Sequence, residues 1–398
     1  MGLEMIYLNQ LGIICPLGNS RAAVKRCLLD RAQSGVSLSD DYSPGRLLPL
    51  GRIDAELPLP RLDHLDVRLR SRNNQLALAA LAQIRTTVDS AIENHGRARV
   101  GIVVGTSTSG IAESEAAFRD YASHGSLPEG FHYGQQELSS LATLLAAELN
   151  VSGPAYVHSS ACASSAKALA SAARLICSGA CDAVLTGGVD SLCAFTIAGF
   201  AALESVSATR CNPLSQNRNG INIGEGAALF LMSREPGIVA LRGWGESSDG
   251  HHLSAPDPSG AGARLAIERA LSRAGISAES IEYINLHGTG TLQNDAMEAR
   301  VIDALFSDAV AVSSTKPFTG HTLGAAGAIE AGLCWLAMQD DNPDGRLPPH
   351  LWDGIPDPAL PALRVAEVGS RLGRPLHWAL SNSFAFGGAN AALVLGRE

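Results

Sequence analysis

The chain has 398 residues, 46% hydrophobic and only 17% charged, with 41 glycines. That composition suits a large core or two domain-sized halves and excludes a disordered or coiled-coil protein. A formal net charge of −9 argues against nucleic acid as a bulk partner, although an acidic partner could still dock on a local basic patch.

The opening stretch MGLEMIYLNQLGIICPLG has an acidic residue ahead of its apolar run and no basic leader. It reads as a first strand, not a signal peptide, and no apolar run in the chain reaches the roughly 18 residues of a membrane span. ARVGIVVGTS (98–107) reads as a buried strand ending in a Gly/Ser/Thr turn, LATLLAAELN (141–150) as a helix, and CDAVLTGGVDS (181–191) as another strand. Further on, IVALRGWGES, IEYINLHGTGT and VAVSSTK read as strands separated by the helical patterns GARLAIERALSRAG and AMEARVIDALF. Such alternation predicts a mixed or parallel sheet covered by helices. The proline-rich stretch 340–362 reads as a surface loop.

Two segments echo each other. SSACASSAKALASAARLI (159–176) and TGHTLGAAGAIEAGLCWLAM (319–338) each set a reactive side chain before a helix of small residues, which lets helices approach closely. NIGEGAALFLM (222–232) and FGGANAALVLG (386–396) form a second such pair. The simplest organisation is a duplicated α/β unit, with halves at 1–235 and 236–398.

The eight cysteines, at 15, 27, 162, 177, 181, 193, 211 and 334, show no CxxC spacing. Free thiols in a reducing cytosol explain most of them. Cys177 and Cys181 lie one helical turn apart without further ligands, a poor metal site, and no metal is expected.

Cys162 is different, because it falls where a strand stops and a helix starts. There the helix dipole and unpaired N–H groups would lower its pKa and favour the thiolate, and its own N–H could help form an oxyanion hole. The plainer alternative is a small residue filling a tight corner. His287 ends an apolar strand, and His321 stands just before the second small-residue helix with Lys316 five residues upstream. Two neutral imidazoles converging on one thiol could donate hydrogen bonds to a thioester oxygen or an enolate. Asp295 and Glu298 could serve as helix N-terminal charges, or Glu298 could pair with Lys316.

Cys162 in SSACASS, His287 in LHGTGTLQNDAME, Lys316 and His321 in STKPFTGHTLGAAG, and NSFAFGGAN (382–390) together resemble the elongating, type I/II β-ketoacyl-[acyl carrier protein] synthases. The motifs stand in that family's order over nearly the whole chain. The resemblance implies an α/β thiolase fold of five layers (αβαβα), two related halves, a dimer and a cytoplasmic acyltransferase. It implies acyl transfer to Cys162, then decarboxylative Claisen condensation with malonyl-acyl carrier protein, extending the chain by two carbons. Substrates would ride on the carrier's phosphopantetheine arm, with no further cofactor. The expected partners are acyl carrier protein and a second subunit, either identical or a related ketosynthase or chain-length factor.

By the same resemblance, His287 and His321 would promote decarboxylation, and Lys316 with Glu298 would hold the His321 region. The N–H groups of Cys162 and Phe386 would form the oxyanion hole. Thr289 and Thr291 would bind the arm, Phe384 and Phe386 would belong to a gating loop, and Phe200 would line the substrate site. Arg68 and Arg72, on one face of a helix predicted over DVRLRSRNNQLAL (66–78) with Arg70 pointing away, would dock the carrier.

Three positions depart from the pattern. Ala385 replaces a gating-loop glycine and would be strained if φ there is positive. Ser215 replaces the acid of an Arg-Pro-Phe-Asp sequence. Thr108 lies where relatives control pocket depth. These departures suggest an unusual acyl substrate, as in polyene or polyketide-like pathways, aryl polyene assembly among them. A thiolase would carry a second catalytic cysteine near the C-terminus, and a type III synthase would pair the cysteine with His and Asn. A non-catalytic chain-length factor would lack the nucleophile.

Overall fold

The computed structural model describes residues 5–306, 308 and 310–398; the first four residues of the predicted opening strand lie outside them. The strands of these residues are β1 (Tyr7–Ile14), β2 (Val36–Ser39), β3 (Leu48–Gly51), β4 (Val100–Gly105), β5 (Ala155–His158), β6 (Ala183–Asp190), β7 (Gly226–Ser233), β8 (Val239–Ser248), β9 (Tyr283–Asn285), β10 (Ala311–Ser313), β11 (Trp378–Phe384) and β12 (Ala389–Arg397). β2 and β3 form a hairpin, and the others form one sheet in the order β10-β9-β11-β12-β8-β1-β7-β6-β4-β5.

Strands from before and after residue 235 occupy opposite sides of that sheet, which meet where Tyr7 of β1 faces Ala240 of β8. Each side has the same plan. β5, β4 and β6 run parallel, with β7 and then β1 antiparallel beyond them. β10, β9 and β11 run parallel, with β12 and then β8 antiparallel. Every residue of β4, β6 and β7 is buried, which explains why their sequences are mostly apolar without alternation: a sheet covered on both faces has no polar side to alternate with.

The cover is helical. Helices Ser164–Cys177 and Ala326–Ala337 pack on each other between the two sides of the sheet. All of Ala326–Ala337 is buried, so its sequence is apolar all round except for Glu330. At Gly327 a Cβ would lie 2.8 Å from Ala166 Cβ and 2.9 Å from Ala166 N, so only glycine allows this approach. Helices Arg72–Ala82, Arg85–His95 and Ser140–Leu149 cover the outer face of the first side. Ala261–Ala274 and Leu292–Leu305 cover the second. The result is five layers, α-β-α-β-α. No helix among the described residues is long and apolar enough to cross a membrane.

Three expectations change. The helix predicted over 66–78 is broken: Val67–Leu69 forms a short 3₁₀ turn, Arg70 is extended, and Ser71 caps a new helix by accepting the Asn74 N–H at 3.2 Å. Arg68 and Arg72 therefore share no helix face. β9 and β10 are only three residues long, because the chain leaves the sheet early to carry the histidine and lysine turns. Finally, the stretch 340–362 is not simply a surface loop, since Leu347, Pro348, Pro349 and His350 are buried. The prolines bring no N–H that burial would orphan. His350 Nδ1 accepts the Ser314 N–H at 3.0 Å while its Nε2 donates to Pro213 O at 2.9 Å. This segment is a strap beneath the site.

Candidate active site

Between β5 and the Ser164–Cys177 helix the chain makes a tight turn. Ala161 takes φ 46, a left-handed state costing an L-residue about 1–2 kcal/mol. Ser164 compensates, its Oγ accepting the Ser160 N–H at 2.8 Å and donating to Ala161 O at 2.6 Å. The helix cap is Ala163, so Cys162 stands just ahead of the helix and not in its first turn. The expected lowering of its pKa is reversed. Burial pushes the thiol up to about 11, against the charge of Lys316 and the Phe386 and Cys162 N–H groups, which both face the sulfur.

His321 Nε2 lies 3.0 Å from Cys162 Sγ. The rings of His287 and His321 stand edge to face with centroids 5.4 Å apart. One ligand atom each from Cys162, His287 and His321 falls within 4.8 Å of the others. Burial, and after it the charge of Lys316, hold both imidazoles well below their ordinary pKa, so both are neutral. His321 is pinned to the other half of the chain: its N–H donates to Asn222 O at 2.6 Å, and its carbonyl accepts the Gly224 N–H at 2.9 Å.

Lys316 Nζ sits 3.5 Å from His287 Nδ1 and 2.5 Å from Glu330 Oε1, in a fully enclosed ion pair. The expected Lys316–Glu298 pair is therefore corrected, and the lysine supports His287 more directly than His321. Glu298 instead accepts the N–H groups of His287 and Gly288, each at 2.8 Å, and the Asn382 amide at 3.1 Å. Burial raises its carboxyl to about 7. It fixes the turn that aims His287.

Sequence reasoning missed Glu330, although an acid inside an apolar small-residue helix was a signal, since a buried charge needs a partner. It also missed Asp190, a carboxylate closing the all-buried β6. Asp190 accepts from Thr106 Oγ1 (2.6 Å), the Ser107 N–H (2.8 Å) and Oγ (2.6 Å), and the Gly324 N–H (2.5 Å). It thereby ties the end of β4 to the turn just after His321.

Residues 63–236 match the family described as "Beta-ketoacyl synthase, N-terminal domain", and residues 238–351 match "Beta-ketoacyl synthase, C-terminal domain". The chain is 31% identical to the 3-oxoacyl-[acyl-carrier-protein] synthase 2 of Staphylococcus aureus (strain N315), with 98% of each chain covered. The chain belongs to the β-ketoacyl synthase family. Among solved structures, a chain of the ketosynthase ApeO in complex with its chain length factor ApeC from Xenorhabdus doucetiae superposes with a TM-score of 0.92. Their identity is 45%, over 99% of this chain and 98% of that one. The ishigamide ketosynthase/chain length factor gives a TM-score of 0.89 at 26% identity, with 100% of each chain covered. The five layers are the thiolase fold of these ketosynthases, and the protein is a condensing acyltransferase of the 3-oxoacyl-[acyl-carrier-protein] synthase type.

A cleft of about 530 Å³, its open mouth included, reaches the synthase's Cys162. Thr289, Thr291, Phe200, Phe384 and Phe386 all line it. The two threonine hydroxyls bond each other at 2.9 Å. The Phe384 ring lies 6.1 Å from His287, and Phe386 lies 5.4 Å from Phe200. Ala385 adopts φ −97, ψ 154, ordinary extended backbone, while Gly387 and Gly388 carry the positive φ values of 80 and 76. No strain falls on the Ala385 methyl. Thr108 lies off the cleft, its N–H and hydroxyl both bound to Asp190 at 2.9 Å.

The two arginines also part. Arg72 forms a fork with Glu225 at 2.6 and 2.7 Å, and the two side chains are 30% and 2% exposed. Arg68, 60% exposed, pairs with Asp66 at 3.0 Å.

Proposed function

We propose that the synthase takes an acyl chain from acyl carrier protein onto Cys162 and condenses it with malonyl-acyl carrier protein, lengthening it by two carbons. The observation that carries this reading is the intact cluster of Cys162, His287 and His321, with two N–H groups facing the sulfur. Cys162 attacks the acyl thioester carbon, and His321 Nε2 takes its proton. The oxyanion is held by the Cys162 and Phe386 N–H groups, and the pantetheine thiol leaves protonated. Malonyl-carrier protein then enters and loses CO₂. His287, and His321 in its Nε2–H tautomer now that the thiol proton is gone, donate hydrogen bonds to the enolate oxygen. The enolate carbon attacks the Cys162 thioester and expels the sulfur as thiolate, which takes a proton from solvent. Thr289 and Thr291 hold the arm, and Phe384 and Phe386 gate it. The chemistry draws on no resident cofactor, and we assign it to the cytoplasm.

We further assign the synthase to a specialised polyketide- or polyene-like pathway, aryl polyene assembly among the candidates, acting as a heterodimer with a chain-length-factor subunit. The support is the 45% identity to a chain of a ketosynthase–chain length factor complex, against 31% to the fatty-acid-type relative. Incubation with acyl- and malonyl-carrier proteins, followed by mass spectrometry, tests the reaction. Acyl adducts on Cys162 and a 3-oxoacyl product two carbons longer are expected. A chain that never acylates is a scaffold, and the catalytic reading then fails.

Carrier docking now rests on Arg68, because the guanidinium of Arg72 is committed to Glu225. Arg68→Glu is expected to raise KM for carrier-borne substrate several-fold, in a salt-dependent way, and to leave a small pantetheine thioester unaffected. Arg72→Glu, which buries a second acid beside Glu225, is expected to lower Tm and to impair both substrates. Equal losses on both substrates for Arg68→Glu remove it from the docking surface.

A further inference from the structure

Ser215 stands where the family resemblance leads one to expect an acid, yet it is fully buried and not short of one. Its hydroxyl faces Asp353 Oδ1 and Oδ2 at 2.9 and 3.1 Å and accepts the Asn217 N–H at 2.9 Å. Asn217 Nδ2 donates to Asp353 Oδ2 at 2.8 Å, and the Asp353 N–H donates to Asn212 Oδ1 at 3.0 Å. Arg218, almost wholly enclosed, donates to Ser215 O at 2.8 Å and to Asp357 Oδ2 at 2.6 Å. The Gln216 N–H completes the seam by donating to Ile355 O at 3.0 Å. Loop 210–220 is thus fastened from outside, by two carboxylates of the proline-rich strap.

The loop's other face reaches the turn that carries Thr289 and Thr291. Leu214 sits at φ 63, a conformation that a leucine keeps only when it is held there. Its N–H donates to Asp295 Oδ2 at 2.9 Å, and Asp295 Oδ1 accepts the Gly290 N–H at 3.2 Å. Gly220 N–H also donates to Gly290 O at 2.9 Å. Gly290 lies between Thr289 and Thr291 and has no strand to hold it. The path from strap to turn is therefore continuous: Asp353 and Asp357, then Ser215 and Arg218, then Leu214, Asp295 and Gly290.

We propose that Asp353 and Asp357 are positioning residues for the Thr289–Thr291 turn, supplying from the strap an anchor that loop 210–220 does not carry itself. They touch no substrate. Their effect on the arm rests on the reading, proposed above, that these threonines bind it. A misplaced turn weakens arm binding without touching the sulfur or the histidines, so the loss falls on KM.

The test uses the full chain with its carrier-borne substrates. Asp353→Asn is expected to raise KM for acyl- and malonyl-carrier protein about tenfold, with kcat and the rate of Cys162 alkylation by iodoacetamide little changed. Ser215→Asp alone sets two carboxylates against each other and is expected to be worse. Ser215→Asp combined with Asp353→Asn restores one acid facing one amide and is expected to recover most of the KM. Amide hydrogen exchange at Leu214 and Gly290 should quicken in Asp353→Asn and slow again in the double variant. An unchanged KM in Asp353→Asn, a double variant no better than its worse parent, or unaltered exchange at Gly290 overturns the proposal. If the unsubstituted protein condenses nothing, the reading of function fails, and the exchange measurement still decides the coupling of strap to turn.

Discussion

His321→Ala is expected to slow both half-reactions, acylation of Cys162 and decarboxylation of malonyl-carrier protein, by about 10²–10³ each. His287→Ala is expected to slow decarboxylation alone by a similar factor. The asymmetry follows from the sulfur. With its pKa pushed to about 11, roughly one thiol in 10⁴ is ionised at neutral pH. Attack therefore needs a proton acceptor, and His321 Nε2, 3.0 Å away, is placed to be one. A helix-activated thiolate, the expectation from sequence, would have loaded equally well without either histidine. Cys162→Ala should end loading and condensation while malonyl decarboxylation stays measurable, because the enolate's donors remain. Since burial and Lys316 keep both imidazoles neutral, decarboxylation should show no histidine inflection between roughly pH 6 and 8. The measurements are CO₂ release and mass-detected acyl-enzyme for the three variants. Wild-type loading by His321→Ala would sink the assignment of the proton acceptor.

Glu330→Ala is expected to destabilise the fold by about 3–5 kcal/mol, because it strands the Lys316 ammonium in a dry interior. The pair is already an expensive arrangement, since burial raises the Glu330 carboxyl in spite of Lys316 beside it. Replacing both members, Lys316→Met with Glu330→Leu, should return most of the stability, as a packed apolar pair carries no desolvation penalty. Decarboxylation should not return with it, because His287 Nδ1 loses its cationic neighbour at 3.5 Å. Thermal unfolding and CO₂ release separate the two effects. A Glu330→Ala protein as stable as its parent, or a double variant with full activity, refutes the division between stability and support of His287.

The sheet strands were legible in the sequence where both faces are covered, as in β4 and β6, because continuous burial leaves a mostly apolar stretch without alternation. Cys162, His287 and His321 were legible from motif and order. What escaped notice was pairing at long range. Glu225 sits 153 positions from Arg72 and Asp353 138 from Ser215, and no local pattern says that such residues meet. In sequence Glu330 is one more letter of a small-residue helix, and nothing local marks it, and not Glu298, as the partner of Lys316. Backbone angles escaped too. An alanine at 385 cannot announce whether its φ is negative, and the turn turned out to rest on Gly387 and Gly388.

The contact between Gly327 and Ala166 joins the helix behind Cys162 to the helix behind His321 almost backbone to backbone. The sulfur–imidazole distance is therefore set by main chain and not by the bulk of any side chain near the substrate. Residues lining the cleft, such as Phe200 and Ile221, can change size without moving the reacting atoms. Such a scaffold separates the two things selection acts on: substrate range drifts at the walls, while reaction geometry is inherited intact from the meeting of two helices.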